Sequence, residues 1–165
     1  MKNYLKTLVF LGGLLILAAC SNISDTPLEP QIKVNYSCNG LPATIVGTNA
    51  DNIIVGTPFN DVIVALAGDD RVYGLDGNDT ICGDAGRDTL LGMIGNDRLF
   101  GGTQNDILEG SLGQDFLSGG DHNDTLRGQE GNDMLNGGTG FNNLDGGPNV
   151  DTCFKWTVQV NCEMF

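Results

Sequence analysis

From Gly47 to Phe154 the chain divides into nine-residue units without a single insertion or deletion: GTNADNIIV, GTPFNDVIV, ALAGDDRVY, GLDGNDTIC, GDAGRDTLL, GMIGNDRLF, GGTQNDILE, GSLGQDFLS, GGDHNDTLR, GQEGNDMLN, GGTGFNNLD and GGPNVDTCF. Twelve units fill 108 residues, and a period of this kind is the signature of a stacked, repetitive fold. Position 1 is Gly in eleven units, with Ala65 the exception. Position 6 is Asp in ten, with Asn52 and Asn142 the exceptions, and position 8 is Ile, Val or Leu in eleven, with Cys153 closing the series.

Each column has a physical reason. Gly at position 1, and at position 4 in seven units, permits positive φ and close backbone approach in tight turns. Asn or Asp at position 5 tolerates similar conformations. Positions 7 to 9 alternate outward, inward, outward, as a short strand does. The inward column is therefore Ile54, Ile63, Val72, Ile81, Leu90, Leu99, Leu108, Leu117, Leu126, Leu135 and Leu144. One aliphatic side chain per unit cannot stabilise that unit alone, but stacked units build a continuous thin core.

Acidic residues outnumber Lys and Arg by 21 to 8, for a formal charge of −13. With 25 glycines, such a chain stays unfolded unless something neutralises it. There is no Gly-X-Y triplet period, which excludes collagen, and no basic footprint, which excludes a nucleic-acid partner.

The units resemble the Gly-Gly-x-Gly-x-Asp-x-U-x nonapeptides of RTX proteins, where U is a large apolar residue. The resemblance implies an all-β, right-handed parallel β-roll with two nonapeptides per coil and about six coils. It also implies that the first six residues of each unit form a calcium-binding turn and the last three a strand. Ca²⁺ is then held between turns stacked on one edge by turn carbonyls and position-6 side chains. The chemistry agrees, because Ca²⁺ takes about six to eight hard oxygen ligands and parallel neighbours lie about 4.8 Å apart. Without metal, a column of Asp at that spacing repels itself.

With two units per coil, one edge carries Asp61, Asp79, Asp97, Asp115, Asp133 and Asp151. The other carries Asn52, Asp70, Asp88, Asp106, Asp124 and Asn142. Of the ten gaps between stacked turns, eight lie between two aspartates and two between an Asn and an Asp. This predicts about eight stronger calcium sites and two weaker ones. Position 4 departs from Gly at Ala50, Phe59, Gln104, His122 and Asn149; Phe59 suits a left-handed turn least, so the first coil reads as a degenerate cap. His122, the sole histidine, reads as a turn residue, and Arg71, Arg87, Arg98 and Arg127 as partners for nearby acids.

Residues 1–19 read as a targeting segment: Lys2 and Lys6, then an apolar run, then Leu17-Ala18-Ala19-Cys20. That ending resembles the lipobox of bacterial lipoproteins, which implies cleavage before Cys20 and its lipidation, hence a membrane anchor on an exported protein. Removal of the two lysines leaves 6 basic and 21 acidic residues, a charge near −15, which eight Ca²⁺ would roughly cancel. Residues 20–37 read as a polar tether, 38–46 as an N-terminal cap with Ile45 inward, 47–154 as the roll, and 155–165 as a C-terminal cap carrying Trp156, Val158 and Val160.

Four further cysteines in an exported chain read as two disulfides. Cys153 and Cys162, nine apart, staple the C-terminal cap; Cys38 and Cys82 remain, and their pairing requires the N-terminal cap to fold over the roll. Outward position 9 is apolar in the first half: Val64, Cys82 and Phe100 on one face, Val55, Tyr73 and Leu91 on the other. The second set is either a partner patch or a scatter of surface hydrophobes. The chain has no room beside the roll for the catalytic or pore-forming domains of RTX toxins and proteases, so no enzyme activity is expected. Calcium binding is the expected function. A calcium-dependent polysaccharide-binding or adhesion module, with a surface polysaccharide or protein as partner, is the alternative, although Tyr73, Phe100 and Phe116 form no aromatic line.

Overall fold

The computed structural model describes residues 10–11, 14–15, 34–154 and 160–162, in two units that divide after Lys33. In the N-terminal unit Phe10–Leu11 pairs antiparallel with Leu14–Leu15. The lipidation expected at Cys20, the tether up to Lys33, and Trp156 and Val158 of the expected cap lie outside the described residues.

The second unit is a right-handed parallel β-solenoid of about six coils, and no helix occurs among its described residues. Two seven-stranded sheets face each other. One begins at Ile53–Val55 and runs through Arg71–Asp76, Thr89–Ile94, Ile107–Leu112 and Thr125–Glu130 to Asn143–Asp145 and Val160–Asn161. The other begins at Ile45–Val46 and runs through Val62–Val64, Thr80–Ala85, Arg98–Thr103, Phe116–Asp121 and Met134–Gly138 to Thr152–Phe154. Within the repeats the register is eighteen residues, so Leu90 pairs with Val72 on one side and Leu108 on the other; the final strand departs from it, with Leu144 paired to Val160.

The inward column behaves as its alternation predicts. Every member from Ile54 to Leu144 is buried, and together they form one core cluster that Ile45, Cys153 and Cys162 extend at its ends. Ala65, the one non-glycine at position 1, is fully buried and its methyl joins this core.

The strands are longer than expected. In the middle of the roll they span six residues, positions 7 to 9 of one unit and 1 to 3 of the next. The alternation carries through, so position 1 points inward, beside the position-6 side chain. There is no left-handed φ at position 1 in any unit. The positive-φ positions are 2 and 4, in all ten units from the third onward, including Leu66, Leu75, Met93 and Ser111 at position 2. The glycine of position 1 therefore answers a close approach, and the left-handed bend inside the strand falls on position 2, where six of the ten residues are not glycine.

The N-terminal cap joins a hairpin to one strand in repeat register, Ile45–Val46, which pairs in parallel with Val62–Val64. Asn39 and Gly40 take φ of 49° and 80° and join Ser37–Cys38 to Leu41–Pro42 as a two-residue hairpin, the behaviour of an Asn-Gly pair in a primed turn. The hairpin lies on the outer face of the second sheet. There Cys38, Val64 and Cys82 form a separate buried cluster with Ala43, Val62, Leu66 and Phe100. Cys38 is bonded to Cys82 with Cα atoms 5.7 Å apart, and Cys153 to Cys162 at 6.2 Å. On the first sheet Val55 is exposed, whereas Tyr73 and Leu91 are half-buried.

The Cys38–Cys82 bond closes a loop of 44 residues, for which loss of chain entropy in the unfolded state contributes about 4 kcal/mol. Replacing both cysteines by serine is expected to lower unfolding stability by about that amount, measured by urea denaturation against the oxidised parent. An unchanged midpoint would show that the hairpin does not constrain the roll.

Candidate metal centre

The structure gathers the position-6 side chains into two columns, one on each edge, as the eighteen-residue coil requires. Each is buried except Asn52, which is half-buried. One carboxylate oxygen has a fixed task. Oδ1 accepts the backbone N–H of the position-6 residue one coil earlier: Asp61 to Asp79, Asp79 to Asp97 and Asp97 to Asp115 at 2.8 Å, then Asp115 to Asp133 and Asp133 to Asp151 at 2.9 Å. The second edge repeats the pattern from Asn52 through Asp70, Asp88, Asp106 and Asp124 to Asn142 at 2.7–2.9 Å.

The other oxygen has no such partner. Oδ2 of Asp70, Asp79, Asp88, Asp97, Asp106, Asp115, Asp124, Asp133 and Asp151 is buried and accepts no protein hydrogen bond. Its surroundings are acceptors too. Oδ2 of Asp106 and the carbonyl oxygen of Gly119 in the next coil both lie within 2.6 Å of the point where a Cβ on Gly101 would stand. The same convergence occurs at Gly74 with Asp79 and Gly92, and at Gly128 with Asp133 and Gly146. Asn142 identifies further members of the set, because its Nδ2, the atom equivalent to Oδ2, donates to the carbonyls of Gly137 at 2.8 Å and Thr139 at 3.3 Å. A buried anionic oxygen set among carbonyl oxygens, with no donor, is unfavourable unless a cation joins them.

Burial therefore raises the carboxyls. Asp97 is pushed up to about 7 and Asp106 to about 8, first by loss of solvent, with further rises from the aspartates above and below and an opposing effect from the accepted N–H. Asp88, Asp115 and Asp124 rise to about 6 for the same leading reason, with His122 holding Asp124 back. Asp70, Asp79 and Asp133 are also raised by burial.

Among the described residues no three His, Cys, Asp or Glu side chains converge on one point. Any cation here must take most of its ligands from main-chain carbonyls, which suits the hard, oxygen-rich shell of Ca²⁺ and not the nitrogen and sulfur ligands of Zn²⁺.

The first coil is built differently. Ala50 and Phe59 at position 4, and Thr48 and Thr57 at position 2, all avoid the left-handed region. Asp61 Oδ2 accepts the Thr57 N–H at 2.7 Å and its hydroxyl at 2.8 Å, and Asn52 Oδ1 accepts the Thr48 N–H at 2.7 Å. Phe59 thus escapes the strain expected of it by leaving the turn geometry that glycine would support. Gln104, His122 and Asn149 do adopt positive φ, and His122 Nδ1 accepts the Gln104 N–H at 3.3 Å.

Position 5 has a role that conformational tolerance did not suggest. Its Asn or Asp oxygen accepts the backbone N–H of position 5 one coil later, as from Asn60 to Asn78 and Asn78 to Asn96 at 2.8 Å. This ladder runs opposite in polarity to that of position 6. Phe141 and Val150, the last position-5 residues of each edge, only donate, and so do Arg87 and Gln114, where the ladder is interrupted. Of the arginines, Arg87 pairs with Asp69 and Arg127 with Glu109, each at 2.6 Å, while Arg98 lies 5.2 Å over the Phe116 ring.

A methyl group at Gly101 would stand against Asp106 Oδ2 and Gly119 O. Gly101→Ala is expected to remove one bound cation from the calcium-loaded roll while leaving far-UV circular dichroism nearly unchanged, as read by native mass spectrometry. Retention of full stoichiometry would place the cations elsewhere.

The family model of the RTX calcium-binding nonapeptide repeat matches four times, at residues 46–81, 83–117, 100–135 and 127–154, together more than half of the chain. A search of curated proteins finds no match. With the repeat matched over nearly all of the roll, and with buried carboxylate and carbonyl oxygens aligned along both edges, the chain belongs to the RTX calcium-binding nonapeptide repeat family.

Proposed function

We propose that this protein is an exported, lipid-anchored calcium-binding module whose roll is assembled by the ion. The observation that carries the proposal is the row of nine buried Oδ2 atoms without protein donors. The position-6 side chains are the proposed ligands, with the carbonyls of positions 1 and 3 beside them. Bound Ca²⁺ supplies positive charge at these oxygens; the chain supplies the order. Position 6 fixes one oxygen to the neighbouring coil, glycine at position 1 leaves the approach clear, and position 5 ties the outer turn. Metal affinity is then folding free energy, because the unfolded chain has no preformed site. The disulfides and the lipobox-like Leu17-Ala18-Ala19-Cys20 support an extracellular, membrane-tethered setting, where calcium reaches millimolar levels. The roll supplies binding and scaffold chemistry, with no catalytic group proposed.

Titration with Ca²⁺ in chelator-treated buffer is expected to produce a cooperative gain of β circular dichroism, reversed by chelator, with calorimetry giving the number of ions. A roll already fully formed in chelator at neutral pH would overturn ion-driven folding.

The raised carboxyls fix the sign of the pH dependence. An unfolded Asp titrates near 3.9, whereas Asp97 and Asp106 in the metal-free fold reach about 7 and about 8. Protonation thus stabilises the metal-free fold fully below about pH 4, and that contribution is lost as pH rises through the folded-state values. In chelator, β content is expected to rise as pH falls from 8 to 5. In calcium, apparent affinity is expected to rise with pH over the same window, because the ion displaces protons. A pH-independent metal-free spectrum would count against buried position-6 carboxyls.

A further inference from the structure

The twelve position-6 pockets are not equivalent. Nine hold a buried Oδ2 that accepts nothing from the protein. The other three, at Asn52, Asp61 and Asn142, sit at the ends of the roll, and in each the protein supplies its own hydrogen-bond donor.

Two devices achieve this. In the first coil it is the turn. All ten later units carry a positive φ at position 2, but Thr48 and Thr57 do not. That difference aims the Thr57 N–H and hydroxyl at Asp61 Oδ2, at 2.7 and 2.8 Å, while the Thr44 hydroxyl meets Asp61 Oδ1 at 3.1 Å. Asn52 is saturated likewise, accepting the Thr48 N–H at 2.7 Å and donating from Nδ2 to the Thr48 hydroxyl at 3.0 Å. At the far end the device is the side chain. Asn142 Oδ1 keeps the ladder bond from the Asp124 N–H at 2.7 Å, and Nδ2 satisfies the Gly137 and Thr139 carbonyls. An amide nitrogen thus serves the carbonyls that an ion serves elsewhere.

Building on the calcium-binding reading above, we infer that these three pockets are closed to calcium, plugged by Thr57, Thr48 and the Asn142 amide, and that the roll takes at most nine ions. The consequence differs from a count of gaps between stacked turns. Asp61 faces Asp79 across a gap between two aspartates, yet its own pocket is spent on threonine. Asn142 is also a gate rather than a weak ligand: the identity of one atom, nitrogen for oxygen, decides whether the pocket holds two carbonyls directly or through a cation.

The test is a gain of binding, which misfolding cannot mimic. Asn142→Asp keeps the oxygen that accepts the Asp124 N–H and replaces the plugging nitrogen by Oδ2. Thr57→Gly removes the hydroxyl and allows position 2 the left-handed bend that Gly102 and Gly120 adopt. Native mass spectrometry of the full chain at saturating Ca²⁺ is expected to show no more than nine ions on the parent and one additional ion on each variant. Ten or more ions on the parent, or no additional ion on both variants while the parent is loaded, overturns the inference alone. A parent that binds no calcium overturns the calcium-binding reading instead.

Discussion

Every position-6 carboxylate except that of Asp61 is divided between two demands. Oδ1 holds the backbone N–H of the preceding coil, so the side chain cannot rotate away; Oδ2 is consequently fixed in a buried place among other acceptors. The remainder of the fold accommodates this arrangement. Position 1 is glycine in every unit but that of Ala65, because the carboxylate takes up the space a Cβ would need, as at Gly83 with Asp88. The core is thin because the acidic columns take up both edges of the coil interior and leave one aliphatic per unit between them. Burial of that second oxygen among other acceptors is unfavourable unless a proton or a cation neutralises it.

Much of this was legible in the sequence, and for a definite reason: a strictly periodic chain converts residue number directly into position. The inward column follows from period and alternation alone. The division of Asp and Asn between two edges also needs the two-unit coil that the RTX resemblance implies, and the disulfide pairings rest on the nine-residue spacing of Cys153 and Cys162, which leaves Cys38 with Cys82. The parts that were not legible depend on where the chain bends. Left-handed φ was expected at positions 1 and 4 because glycine stands there, yet position 2 bends with Leu66, Leu75 and Met93 in place. Tertiary pairing on both sides overrides the local preference of those side chains. The position-5 ladder was hidden because Asn and Asp serve turns in several ways, and only the stacking shows which one operates.

The two ends of the roll are finished differently. At the N-terminal end the chain adds a hairpin, a second hydrophobic cluster and a disulfide, and replaces the bent position 2 by threonines that cap their own turn. The Asn39-Gly40 pair that makes the hairpin was a readable signal, overshadowed by the nine-residue length of the segment around it. At the C-terminal end Val160–Asn161 adds one strand beside Asn143–Asp145, and Cys162 reaches the end of the core.

The eighteen-residue ladders also set the grain of evolutionary change in this molecule. Every side-chain bond of positions 5 and 6 joins residues of one edge, so loss of a single nonapeptide would carry all downstream units to the opposite edge. Cys82 would then leave the sheet that the Cys38 hairpin covers, and Asn142 would terminate the wrong column. Loss or duplication of two adjacent units between Cys82 and Asn142 keeps both columns on their edges and changes the length by about 4.8 Å. The unit of length compatible with these ladders is therefore a full coil of two repeats.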